Sequence, residues 1–139
     1  MANQTSSTGE SMAITVSLPD GKITVLENGT AVREITSFST GRPGHLTPLV
    51  SNGKILGRER IHHSNTYKDS HGKPAAMPFA LFFSKDGCAF HAGDPNVESH
   101  GCIHLTAFDA EWLFKWVGQH DVAVTIVGPN PKVATTPHP

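Results

Sequence analysis

The chain has 139 residues, of which 37% are hydrophobic and 17% charged, with a formal net charge of -1. That is about one domain's worth of chain, enough to bury a single modest core. Eleven basic residues stand against twelve acidic ones with no basic run longer than a pair, which excludes a surface built to neutralise nucleic-acid phosphates. No apolar run approaches the roughly 18 residues of a membrane span.

In chain order, residues 1–11, "MANQTSSTGES", are polar, with neither a basic start nor an apolar stretch; as written they carry no secretory signal and are expected to be disordered. From Met12 the pattern is a β-meander. "MAITVSL" alternates up to "PDG", "KITVLE" runs to "NG", and "TAVREITSFST" ends at "GRPG"; Asp-Gly and Asn-Gly between β-branched runs signal hairpins. Residues 43–76 are poorly periodic. They contain a strand at "KILGRERI" and a long polar connection, "HHSNTYKDSHGKPAA", in which His62, His63 and His71 read as solvated.

Two strands, "MPFALFF" and "CAFHA", follow around the turn "SKDG". Thr106 and Asp109 resemble a capping pair ahead of a helix over "AFDAEWLFKWV", with Gly118 just past its last turn. Phe108, Trp112, Leu113, Trp116 and Val117 read as one apolar stripe facing the core. "VAVTIV" supplies a last strand, and residues 129–139, rich in proline, read as a flexible tail. The fold class is therefore mainly β, one domain over residues 12–128, with one main helix after the cysteine segment.

The chemistry concentrates in "HAGDPNVESHGCIHL", residues 91–105, which holds His91, His100, Cys102 and His104. Three readings compete. The histidines are ordinary polar surface in a chain with nine of them. Alternatively, His100, Cys102 and His104 share one face of a strand and join His91 in a zinc set, although ligands spread along a strand suit a tetrahedral ion poorly and paired zinc spacings are absent. Or Cys102 is a nucleophile and His91 its base, brought together when "GDPNVES" folds back. Gly101 removes bulk beside the sulfur, so that backbone amides can approach a developing oxyanion. Asp94 reads as turn chemistry in "GDPN". Cys88, in "DGCAF", reads as a buried core thiol.

"SHGCIHL" resembles the signature of the L,D-transpeptidase catalytic domain family (YkuD-like), in which S/T-H-G-C is followed by an apolar residue and usually Arg or Asn. "FHAG" matches the strand that ends in the family's histidine, "STGRPGHLTP" its STG…TP segment, and "DAEWLFKWV…VAVTIV" its helix and last strand. The similarity covers roughly Met12 to Gly128. It departs at His104, which stands where Arg or Asn is usual, in the short loop between His91 and Ser99, and at "TPLVSNG" in place of TPxG.

The resemblance implies an L,D-transpeptidase-like β-sandwich or sheet fold and a cysteine acyltransferase. Carried over by position, Cys102 is the nucleophile and His91 the general base, its ring oriented by the Ala92 carbonyl. Amides of His100, Gly101 and Cys102 form the oxyanion hole, with Ser99 and His100 as local scaffolding or substrate contacts. Among the other residues, Tyr67 stacks on substrate or anchors its loop, Met77 borders the cleft as a substrate contact or packs in the core, and His104 contacts substrate, takes part in the chemistry or fills the Arg site as a polar group. No cofactor or metal is implied. The implied partner is the peptidoglycan stem peptide, met in the periplasm or at the cell wall, with no nucleic acid and no membrane span. Attack on a tetrapeptide stem would release terminal D-alanine, and an amine acceptor would give a 3-3 crosslink. Water as acceptor would make a carboxypeptidase, and a free D-amino acid an exchange enzyme. An exported antibacterial effector, with an inhibitor or immunity protein as partner, uses the same site; a zinc-binding or catalytically silent wall-binding module is the alternative of another class.

Overall fold

The computed structural model describes residues 11–68 and 71–131, apart from the side chains of Asn65, Thr66 and Tyr67. The expected N-terminal disorder and most of the proline-rich tail lie outside these residues. The chain is mainly β; among the described residues it has two five-stranded sheets and one helix element. It divides into two compact units, each built on its own sheet.

The first unit comprises the chain up to Thr36, the segment Leu49–Lys54 and the chain from Gln119. Its strands are β1 (Met12–Ser17), β2 (Lys22–Glu27), β3 (Thr30–Ile35), β5 (Val50–Lys54) and β10 (Val122–Val127), in the order β3-β2-β1-β10-β5. Alternation dictates the buried face: Ile14, Val16, Ile23, Val25, Val124 and Ile126 are almost wholly enclosed, while their neighbours are not. The turn between β2 and β3 is made by Asn28 and Gly29, both with positive φ (52° and 81°), as a tight hairpin turn matched to strand twist requires.

The second unit, Ser37–Pro48 and Ile55–Gly118, carries β4 (Phe38–Ser39), β6 (Gly57–Lys68), β7 (Pro74–Phe82), β8 (Ala89–Ala92), β9 (Ile103–Leu105) and α1 (Ala107–Val117). Its sheet order is β4-β9-β8-β7-β6. β8 and β9 run parallel, with Phe90 opposite Ile103, His91 opposite His104 and Ala92 opposite Leu105. Residues 93–102 therefore make the crossover between parallel neighbours without a helix. Phe90, Leu81, Ile103, Leu105, Leu113 and Val117 are fully buried in this unit, and the rings of Phe83 and Phe90 meet at 5.1 Å. The Thr106 hydroxyl caps α1 by accepting from the Asp109 amide, and Gly118 ends the helix with φ 50°.

Four expectations need correction. The polar connection is largely a strand: β6 runs twelve residues and pairs with β7 from Gly57↔Phe82 to Lys68↔Pro74. β6 is an edge strand whose outer residues are solvated, Ile61 among them, so the apolar alternation that marks a buried strand is missing. "KILGRERI" spans the end of β5, a break at Ile55–Leu56 and the start of β6, which belong to different sheets. "TAVREITSFST" likewise breaks after Ile35 and resumes in the other sheet as β4.

The helix stripe is really two. Ala110, Leu113 and Val117 are the buried face, whereas Phe108 is 74% exposed and Trp112 and Trp116 stack on each other with centroids 6.1 Å apart. At about 100° per residue, Phe108 and Trp112 lie on the side of the helix opposite Ala110, so merging the two stripes placed Phe108 in the core wrongly.

Candidate active site

The parallel pairing of β8 with β9 decides the site. His91 and His104 sit side by side, and Cys102 directly precedes β9. Alternation puts Cys102 and His104 on one face, and the register gives His91 that same face. From strand spacings, the His91 and Cys102 Cα atoms lie about 8 Å apart. Both side chains line one cavity of about 370 Å³.

His91 is 6% exposed. Its Nδ1 lies 2.8 Å from the Ala92 carbonyl, the contact the resemblance implies. A neutral ring must donate there, which leaves the Nε2 lone pair as a proton acceptor. Burial pushes its pKa down from 6.5 to about 4; the Ala92 bond opposes this, while His104 and His62 add to it. Between these values the unfolded chain holds a proton that the folded one lacks, so stability falls as pH falls. The loss from this group is expected to begin near pH 6.5 and reach roughly 3 kcal/mol by pH 4, read as a shift in urea midpoint. A histidine free to protonate in the fold would leave that range flat.

The Cys102 sulfur donates weakly to the Gly87 carbonyl at 3.8 Å and receives the Ala89 amide. Burial raises its pKa from 9.0 to about 11, against the Ala89 amide and with help from Cys88. Thiol and imidazole are therefore both neutral at rest, each bonded to backbone.

The loop before the sulfur is held from both sides. Ser99 is buried; its amide donates to Thr40 O and its carbonyl accepts from Arg42 N. Its hydroxyl donates to the Cys102 carbonyl and accepts from the Gly101 amide. Thr47 Oγ1 donates to the Gly101 carbonyl at 2.8 Å and accepts from Gly41 N at 2.9 Å. Gly101 has φ +128°, and a Cβ there would lie 3.2 Å from the Cys88 sulfur, so both backbone and space favour glycine. Its amide, engaged by Ser99, is not turned to an oxyanion, unlike the role expected for it. Ser99→Ala strands a buried amide and carbonyl and is expected to cost about 1–3 kcal/mol in chemical denaturation; a change within error would show that the hydroxyl bridge is immaterial.

The other expected contacts divide. Met77 on β7 is buried with Ala80 and Ala89, and Cys102 packs against this cluster. His104 lines the cavity with its ring 5.0 Å from that of His91, yet its Nδ1 faces the carbonyls of Asp94 and Val97 at 3.2 and 3.0 Å. It thus ties down the 94–97 turn, which Ser39 Oγ also holds. Gly93 makes room for it, since a Cβ there would lie 2.8 Å from the His104 ring. Asp94 accepts from Asn96 N, which is turn chemistry as expected. His100 is turned to the rim, with Nε2 2.9 Å from Arg42 Nη2 and its ring 4.8 Å from that of His45. His91 and His104 lie ring to ring, yet among the described residues no group of three His, Cys, Asp or Glu side chains is placed to hold a metal ion. The Tyr67 side chain lies outside the described residues. No helix among those residues is long and apolar enough to cross a membrane.

Sequence reasoning missed three features. His62, read as solvated, is half-buried against Phe82 with ring centroids 5.1 Å apart, because β6 runs on past "KILGRERI" and pairs His62 with Met77. Cys88, read as core, is half-exposed and lines the cavity with Cys102. A second cavity of about 610 Å³, lined by Leu56, Glu59, His62 and Phe82, also reaches Cys102. The sulfur therefore sits where two cavities meet.

Comparison with known proteins accords with this geometry. A family model of the L,D-transpeptidase catalytic domain matches residues 11–127. Comparison with curated proteins gives no match. A solved L,D-transpeptidase from Stackebrandtia nassauensis is 25% identical with a TM-score of 0.75, over 89% of this chain and 58% of that one. L,D-transpeptidase 1 of Mycobacterium tuberculosis is 27% identical with a TM-score of 0.68, over 86% and 63%. L,D-transpeptidase 3 of the same organism, solved with a faropenem-derived adduct, is 25% identical with a TM-score of 0.66, over 84% and 61%. The chain thus spans less than two thirds of the length of each. The family model covers both sheets, the helix and the whole His91–Cys102 segment, and on that match the chain belongs to the L,D-transpeptidase catalytic domain family.

Proposed function

We propose that the protein is a cysteine-dependent L,D-transpeptidase acting on peptidoglycan tetrapeptide stems. The observation that carries the reading is the placement of Cys102 at the junction of two cavities, one of them shared with His91. A transpeptidase must admit a donor and an acceptor on either side of one nucleophile, and this arrangement suits that need.

With the donor stem bound, the thiol turns from the Gly87 carbonyl by a side-chain rotation, and Nε2 of His91 takes its proton as sulfur attacks the carbonyl of the diamino acid. Negative charge on the carbonyl oxygen is met by amides of the 100–102 loop other than that of Gly101. Collapse expels terminal D-alanine, whose nitrogen takes the proton from His91, and leaves a thioester. An amine of a second stem attacks the thioester, giving a 3-3 crosslink and restoring the thiol. Water or a free D-amino acid in its place gives the carboxypeptidase or exchange product through the same first half-reaction. The reaction places the protein at the cell wall or in the periplasm. No metal or organic cofactor has a part in these steps.

Incubation with purified disaccharide-tetrapeptide, with products resolved by mass, tests the reading. Dimer with released D-alanine is expected; tripeptide alone would assign the carboxypeptidase. No release of D-alanine, with Cys102 never acylated, would remove the enzymatic reading altogether.

A further inference from the structure

We propose that Cys88 is a resolving thiol for Cys102, so that peroxide converts the pair to an intramolecular disulfide that blocks acylation reversibly. The inference deepens the reading of Cys102 as nucleophile and rests on it for the functional consequence alone.

The geometry is reciprocal. The Cys102 sulfur touches the Gly87 carbonyl and the Ala89 amide, the two residues flanking Cys88. The Cys88 sulfur in turn lies against Gly101, at the spot where only the lack of a Cβ leaves room, one residue from Cys102. Both thiols are free, partly exposed and on the wall of one cavity. Cys88 and Cys102 each stand immediately before one of the two parallel neighbours β8 and β9.

Cys88 also has its own support. It closes the turn between β7 and β8: its amide donates to Ser84 Oγ at 3.0 Å and its carbonyl accepts from Phe83 N at 2.9 Å. The Ser84 hydroxyl also hydrogen-bonds its side chain. The turn fixes the Cys88 backbone, so reaching Cys102 asks for side-chain rotation more than for movement of the chain.

The chemistry balances in two steps. The Cys102 thiolate attacks a peroxide oxygen; an S–O bond forms, the O–O bond breaks, and the departing alkoxide or hydroxide takes a proton to leave as alcohol or water. Sulfur is oxidised by two electrons to the sulfenic acid and the peroxide is reduced. The Cys88 thiolate then attacks that sulfur; the S–S bond forms, the S–O bond breaks, and hydroxide leaves with the Cys88 proton as water. A thiol reductant reverses the second product to two thiols.

The test treats the whole chain with hydrogen peroxide, blocks remaining thiols with iodoacetamide, and maps peptides by mass. The expected result is a cross-linked pair of peptides holding Cys88 and Cys102, loss of both alkylatable thiols, and recovery of both after reduction. In Cys88→Ser and Cys88→Ala the crosslink is absent, and Cys102 proceeds to sulfinic and sulfonic acids that reduction does not restore. Wild-type protein in which Cys102 over-oxidises while Cys88 stays alkylatable would overturn the proposal, as would a crosslink found only between chains. Every readout is a thiol product, so a protein that forms the crosslink but, once reduced, releases no D-alanine from stem peptides counts against the transpeptidase reading and leaves the thiol pair standing.

Discussion

Cys102→Ala is expected to abolish release of D-alanine and all mass adduct formation with a penem such as faropenem, while leaving the thermal melt nearly unchanged. The sulfur is half-buried, bonded only weakly to Gly87, and its loss removes no buried charge. His91→Asn is the more searching variant. Its side-chain amide can still donate to the Ala92 carbonyl, so the strand end keeps its bond, but nothing replaces Nε2. General-base catalysis contributes about 10²–10⁴-fold, and kcat for acylation should fall by that range with the fold retained. Unimpaired acylation in His91→Asn would mean that the proton leaves by another route and that the pairing of β8 with β9 is incidental to the chemistry.

The second expectation concerns how the thiol ionises. Had Cys102 and His91 formed a preformed thiolate–imidazolium pair, alkylation would be fast and flat from mildly acidic pH upward. The structure sets the opposite condition, because burial raises the thiol to about 11 and lowers the imidazole to about 4. Only thiolate reacts with iodoacetamide, so the rate at Cys102 should climb about tenfold per pH unit, or about a thousandfold from pH 7 to 10. Acylation by substrate should lack that steep rise, since His91 removes the proton during attack. Labelling at Cys102 must be separated from that at Cys88 by peptide mapping, because burial raises the second thiol as well. A plateau in the Cys102 rate below pH 8 would show an ion pair at rest and would replace proton transfer during attack by simple thiolate chemistry.

These two tests touch what was legible at different levels. The helix boundaries, the hairpin at Asn28-Gly29 and β10 are local patterns, and the structure reproduces them. Only the start of β6 was legible, within "KILGRERI"; beyond it the edge strand carries polar residues with no apolar alternation to read. Phe108 misled because aromatic spacing at helical period does not say which of two stripes faces inward. His62 and the second cavity followed β6 out of sight.

By itself, the sequence determined which atoms are available: one thiol after a glycine able to hold φ +128°, a histidine closing a strand, and the meander and helix that frame them. Only the tertiary structure decided their pairing. Parallel alignment of β8 with β9 put His91 beside His104 and one step from Cys102, turned His100 outward to Arg42, and set Cys88 against Gly101. The reason is physical. Side-chain direction along a strand is local, with a period of two, but the register between strands joined by a crossover depends on how the intervening loop closes and on which neighbours bury the shared face.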